Sequence, residues 1–355
     1  MIFGLAHPVA PNRRTALLMG LGAAALLIVL GVFRPAVALR GWLVGLAAAG
    51  SIPLGALAWL AIHGLTGGRW GDVARPALLR AASSLPLLLL LWLPLLVGAH
   101  TLYPWPADPV AAPRGVAALY LNVIFFALRS FIVLGALFCF GLLARRKPFG
   151  FVPAALCLLI YAIGMNLLAF DWLLSLDPHY NSSAFGVQFI ITQLAAALAF
   201  VLLVTDAPSQ DTAWGDFGAL LLATLLGLLY LVYMTFLVDW YGDLPAQAAW
   251  YLIRSRHGWS ALEISGLVVG AVLPLLALLF DAVRHSPARL RLVALTAGWG
   301  VIAEMLWLAA PSAGSAAAPA GCLGCLAVGG LLAGFAYPRW GGGPREARKI
   351  VADGH

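Results

Sequence analysis

Ten stretches of about 20 mostly apolar residues follow one another along this chain, and that spacing limits its fold more than any other feature. A helix of that length crosses the ~30 Å hydrocarbon core of a bilayer. The stretches fall near residues 15–33, 41–64, 81–99, 118–143, 152–174, 184–205, 216–238, 259–281, 290–309 and 319–338. Period-two alternation is absent, so a membrane β-barrel is not expected. Composition agrees: 63% of the 355 residues are hydrophobic and 10% are charged, where a soluble domain carries about 25% charged residues. These values exclude a soluble enzyme, a disordered chain and a nucleic-acid-binding domain. The net charge of +7 reflects few acids, 14 Asp and Glu against 21 Lys and Arg. Four Cys in 355 residues make no disulfide framework. The expected fold is all-α and polytopic, a single membrane domain over 1–340 followed by a basic tail, 341–355. The first stretch is too long, and too closely followed by others, to read as a cleaved signal peptide alone.

With ten spans both termini share a side. That side collects Arg13, Arg14, Arg69, Arg75, Arg80, Arg145, Arg146, Lys147, Arg284, Arg289, Arg291 and the bases of the tail. The other holds Arg34, Arg40, Arg114, Arg254 and Arg256. Positive residues concentrate on the cytoplasmic side of membrane proteins, so both termini are expected there. The longest gap, about 100–117, is Pro-rich, and Trp105 between two prolines is expected at the outer interface.

A charge within a span costs about 2.5–3.5 kcal/mol on insertion scales, so each one points to a function or a paired partner. Arg129 lies well inside span four; Glu263 and Glu304 lie in spans eight and nine, and Asp239 and Asp171 close spans seven and five. Asp177 and His179 follow in a loop, and Asn122 sits near the outer end of span four. All fall in the outer half of the bilayer, which predicts one polar pocket or half-channel, with Glu263 and Glu304 buried near Arg129. Pro53, Pro86, Pro94 and Pro274 are expected to interrupt spans. His63 is the one histidine within a span, which disfavours facing histidines for haem. Cys322 and Cys325 have C-x-x-C spacing in an Ala/Gly-rich span, where small residues serve helix packing.

Two segments carry more specific information. One is Phe170-Asp171-Trp-Leu-Leu-Ser-Leu-Asp177-Pro-His179-Tyr180. The other is Asp239-Trp-Tyr241-Gly-Asp-Leu-Pro245, continued by Trp250-Tyr251 and Arg254. With Tyr120-Leu-Asn122 and Arg129, they resemble the polysulphide-reductase/NrfD-like membrane subunits across residues 118–281, most of all the second such subunit of alternative complex III. The Glu pair that follows the Pro of the second motif in that family is Ala246-Gln247 here. The resemblance implies NrfD-like helix bundles in a bacterial inner (cytoplasmic) membrane, within a complex that oxidises quinol. It implies that the chain itself binds no cofactor or metal and that quinol or quinone lies nearby. The implied partners are iron–sulfur and multihaem cytochrome subunits, a second NrfD-like subunit and the lipid bilayer. Arg129, Glu263, Glu304, Asp239 and Asp171 would then form a proton path. Asp177, His179, Asn122, Tyr241 and Arg254 would form its outer face. A purely structural anchor and a secondary transporter are the competing readings.

Overall fold

The computed structural model describes residues 12–107, 119–206, 208 and 211–336. The Pro-rich segment 108–118 and the tail 341–355 therefore lie outside the described residues. Among the described residues, ten helices are long and apolar enough to span a membrane: α1 Arg13–Phe33, α2 Pro35–Thr66, α3 Arg69–Val97, α4 Val123–Arg146, α5 Phe151–Leu176, α6 Phe185–Val204, α7 Ala213–Gly242, α8 Trp259–Leu278, α9 Pro287–Ala309 and α10 Ala317–Phe335. Among the described residues there is no strand. The chain is an all-α, multi-pass membrane protein.

Helices α2–α5 pack as one four-helix group and α6–α9 as a second. They meet where α2 and α5 pack on α6, and α1 and α10 pack on α2. Helix α2 is largely buried from Ala38 to Ala61. Small residues make that possible. A Cβ on Gly41 or Gly45 would strike the α10 backbone at Ala320 and Gly324, so the α2 and α10 backbones approach closely, as small residues four apart allow in membranes. At each face of the molecule, arginines at helix ends tie neighbouring elements together. Arg13 Nε donates to Gly334 O at 2.8 Å, joining the two ends of the described chain. Arg69 grips Asp211 with two bonds of 2.9 and 2.8 Å on that same terminal face. On the opposite face Arg40 donates to Ala309 O.

Proline effects differ by position. Helix α2 continues through Pro53 without a break, contrary to the expected interruption. Helix α3 does break, before Pro86 and again at Trp92 before Pro94. The Leu91 carbonyl left over at the second break accepts from Trp42 Nε1 at 2.7 Å. Helix α8 widens into a π-turn at Val268–Val272, just ahead of Pro274. Missing proline N–H groups account for these local changes. Trp105 is buried against Tyr103 and Phe126.

Candidate functional site

Polar groups expected to form one pocket fall into separate clusters. The first joins α4 to α5. Arg129 holds Asp171 through Nε at 2.7 Å and Nη2 at 2.8 Å, a bidentate pair. Its Nη2 also donates to Tyr120 O at 3.0 Å, and the guanidinium lies 3.9 Å over the Tyr120 ring. Asp171 is fully buried. The partner of Arg129 is thus Asp171 and not Glu263 or Glu304. Arg129 also lies shallower than the sequence placed it. Helix α4 begins at Val123, so Arg129 is six residues in, about 9 Å at 1.5 Å per residue. The Asn122 side chain accepts from the Ile124 and Phe125 amides and caps that helix. Beside the pair, Trp172 Nε1 donates to Ser130 Oγ at 3.1 Å.

The second cluster belongs to α6, α8 and α9. Glu304 is buried, with Oε1 accepting from Gln188 Nε2 at 2.9 Å and Oε2 lying 2.9 Å from Thr192 Oγ1. Glu263 and Glu304 face one narrow void of about 10 Å³, closed below by Gly266, Gly270 and Gly300. That is room for about one water. Both carboxyls sit near the opposite face: Glu263 is four residues from the start of α8 and Glu304 five from the end of α9. Glu263 Oε2 is buried without a hydrogen-bond partner.

Above the carboxyls opens a cavity of about 470 Å³. Its walls are apolar and aromatic, including Tyr180, Phe185, Phe236, Trp250 and Trp307, with Gln188, Arg254 and Glu263 as polar points. Glu263 borders both this cavity and the void below it, and Gln188 borders the cavity while donating to Glu304. The helix Pro245–Arg254 lines the cavity through Trp250, Tyr251 and Arg254. Trp250 stacks on Tyr180 with centroids 4.1 Å apart. Tyr180 and Tyr251 both donate to Asp239 Oδ2, at 2.8 and 3.2 Å. Burial pushes both phenols above their ordinary range, so they stay protonated donors.

Arg254 is buried, stacks 3.7 Å over the Trp250 ring and donates to Leu308 O at 2.9 Å. Its Nε has no partner. Burial pulls its pKa down to about 9 while Asp177, 4.0 Å away, opposes that, so the guanidinium keeps its charge at neutral pH. A second buried cation, Arg40 from α2, donates to Ala309 O at 2.9 Å and Leu102 O at 3.4 Å.

The structure therefore gathers Glu263, Glu304, Asp239, Asp177 and Arg254 around one region, and sets Arg129 and Asp171 apart from them as a pair of their own. His179 and Tyr241 are exposed, Tyr241 at 80%, and neither reaches the cavity. Four contributors were missed. Arg40 was sorted as a loop base because α2 was started at 41. Gln188 and Thr192 are uncharged and so escaped a search for intramembrane charge. Trp307 looked like bulk. Among the described residues no group of three or more His, Cys, Asp or Glu comes together to hold a metal ion. No protein-family model matches the chain, and no curated protein matches it.

Proposed function

We propose that this chain is an NrfD-like membrane subunit of a quinol-oxidising complex, its termini cytoplasmic, and that the cavity over Glu263 faces quinol. The observation that carries this reading is one aromatic-walled cavity of about 470 Å³ bordered by both the Arg254 cation and the Glu263 carboxyl. Membrane-soluble ring ligands suit cavities of about 300–1,000 Å³ with a few placed polar groups. The Arg254 guanidinium donates to one ring oxygen. Glu263 accepts from the hydroxyl at the other end. Oxidation of a quinol releases two electrons and two protons. The electrons would pass to iron–sulfur and haem centres in partner subunits; one proton would go to the Glu263 carboxylate and the other to the Glu304 carboxylate. Glu304, held by Gln188 and Thr192, is the second proton-binding group on the path.

The test is Glu263→Gln and Glu304→Gln in native membranes that contain the assembled complex. Both changes keep shape and remove the ability to bind a proton. Quinol-dependent turnover is expected to fall at least about tenfold, the lower range for a lost proton-transfer group. Unchanged turnover and proton release in both variants would remove these two carboxyls from the mechanism and favour the structural-anchor reading.

A further inference from the structure

The Pro245–Arg254 helix sits between the only two non-glycine residues with positive φ among the described residues. Asp243, two residues before the helix, has φ +44° and ψ +39°. His257, three residues after it, has φ +55°, and Gly258 follows at +85°. Left-handed backbone is uncommon outside glycine and clusters where chains switch or clamp. Here it marks both ends of one ten-residue helix.

The faces of that helix differ sharply. Gln247, Trp250 and Arg254 are buried, at i, i+3 and i+7 spacing on one side. Pro245, Ala246, Ala248, Ala249, Leu252 and Ile253 are exposed on the other. Trp250, Tyr251 and Arg254 of this helix line the 470 Å³ cavity, whose remaining walls come from α6 to α9, Tyr180 and Ser255. The helix is tied to those walls at its second half. Tyr251 donates to Asp239, Trp250 stacks on Tyr180 and meets Trp307 edge-on at 5.0 Å, and Arg254 donates to Leu308 O.

We propose that the Pro245–Arg254 helix is a lid, hinged at Asp243 and at His257-Gly258 and latched by Arg254 on the carboxyl end of α9. Opening swings Trp250 and Tyr251 away from Tyr180 and Asp239 and uncovers the cavity on the opposite face. The Arg254 bond is the strongest tie because its donor is charged and its acceptor is a helix C-terminal carbonyl. Arg40 holds the next carbonyl, Ala309 O, from the other helix group, so the latch closes on a fixed strike plate. This inference stands on the hinges and the latch. It holds whichever ligand fills the cavity.

Amide hydrogen exchange on the full chain in nanodiscs tests it. In Arg254→Gln, amides of residues 246–254 are expected to exchange at least tenfold faster than in the unaltered protein, while those of α2 keep their rates. Tyr251→Phe removes one hydroxyl from the second tie and is expected to speed the same amides by a smaller factor. It carries the test if Arg254→Gln fails to fold. Two results would overturn the proposal: unchanged exchange over 246–254 in the folded variants, or acceleration spread evenly across α6 to α9.

Discussion

Changing Asp171 to Asn leaves the Arg129 guanidinium in place and removes the charge that neutralises it. Asp171 is fully buried and Arg129 keeps 16% side-chain exposure. Breaking a buried pair from one side costs about 3–5 kcal/mol, because the remaining charge is uncompensated. Two features lower the figure here. Arg129 retains the Tyr120 carbonyl at 3.0 Å and the Tyr120 ring face. The expected loss is therefore near the bottom of the range, about 3 kcal/mol, or roughly a hundredfold in the folding equilibrium. Reversible unfolding in mixed micelles measures it, with tryptophan emission as the signal. Trp172, bonded to Ser130 beside the pair, reports locally. The double variant Arg129→Leu with Asp171→Leu removes both charges and is expected to recover to within about 1 kcal/mol of the native protein. A loss below about 1 kcal/mol for Asp171→Asn, the range of exposed pairs, would refute this account of the cluster. So would a double variant as unstable as the single one.

Asn122→Ala is expected to cost about 1 kcal/mol through the lost α4 cap and to leave turnover unchanged; a turnover defect at full stability would assign Asn122 a chemical role. Gly45→Val places a side chain on the Gly324 backbone, and overpacking of about 1–3 kcal/mol should lower the melting temperature with little change at Gly22, which has open space. On the terminal face the Arg69 guanidinium and the Ala213 amide hold Asp211 below the ordinary carboxylate range. A depressed folded value means that the link is complete above the unfolded value of about 4 and is lost as pH falls through the lower folded one. Hydrogen exchange around residues 211–214 should therefore loosen on acidification below that range, and loosening on raising the pH instead would contradict the sign.

How much of this was legible depended on the kind of signal. Ten spans were legible because membrane crossing needs long apolar runs and little else. Their ends were not. Helix α3 begins at Arg69, twelve residues before the expected start, because Arg69 and Arg80 point outward while Trp70, Ala74, Leu78 and Ala81 pack inward. Three arginines in that window made an amphipathic helix look like a loop. The same kind of shift hid Arg40 within α2. The Arg129–Asp171 pair was within reach, since an Arg near the outer end of one span and an Asp near the outer end of the next lie on adjacent antiparallel helices. It was missed because a depth measured from the wrong start placed Arg129 deeper, closer to the glutamates. The cavity cover was not legible, because Pro245–Arg254 reads as a turn motif and its one buried face is set by α6 to α9.

The central claim is membership of a quinol-oxidising complex, and purification of the chain from its native membranes under mild detergent tests it most directly. Reduction of the purified assembly with a short-chain quinol, followed by haem absorbance and iron–sulfur paramagnetic resonance, is the measurement. The account predicts co-purifying haem and iron–sulfur centres that quinol reduces, at a rate slowed at least about tenfold by Glu263→Gln. An assembly free of redox centres, or redox centres that quinol leaves oxidised, would contradict it.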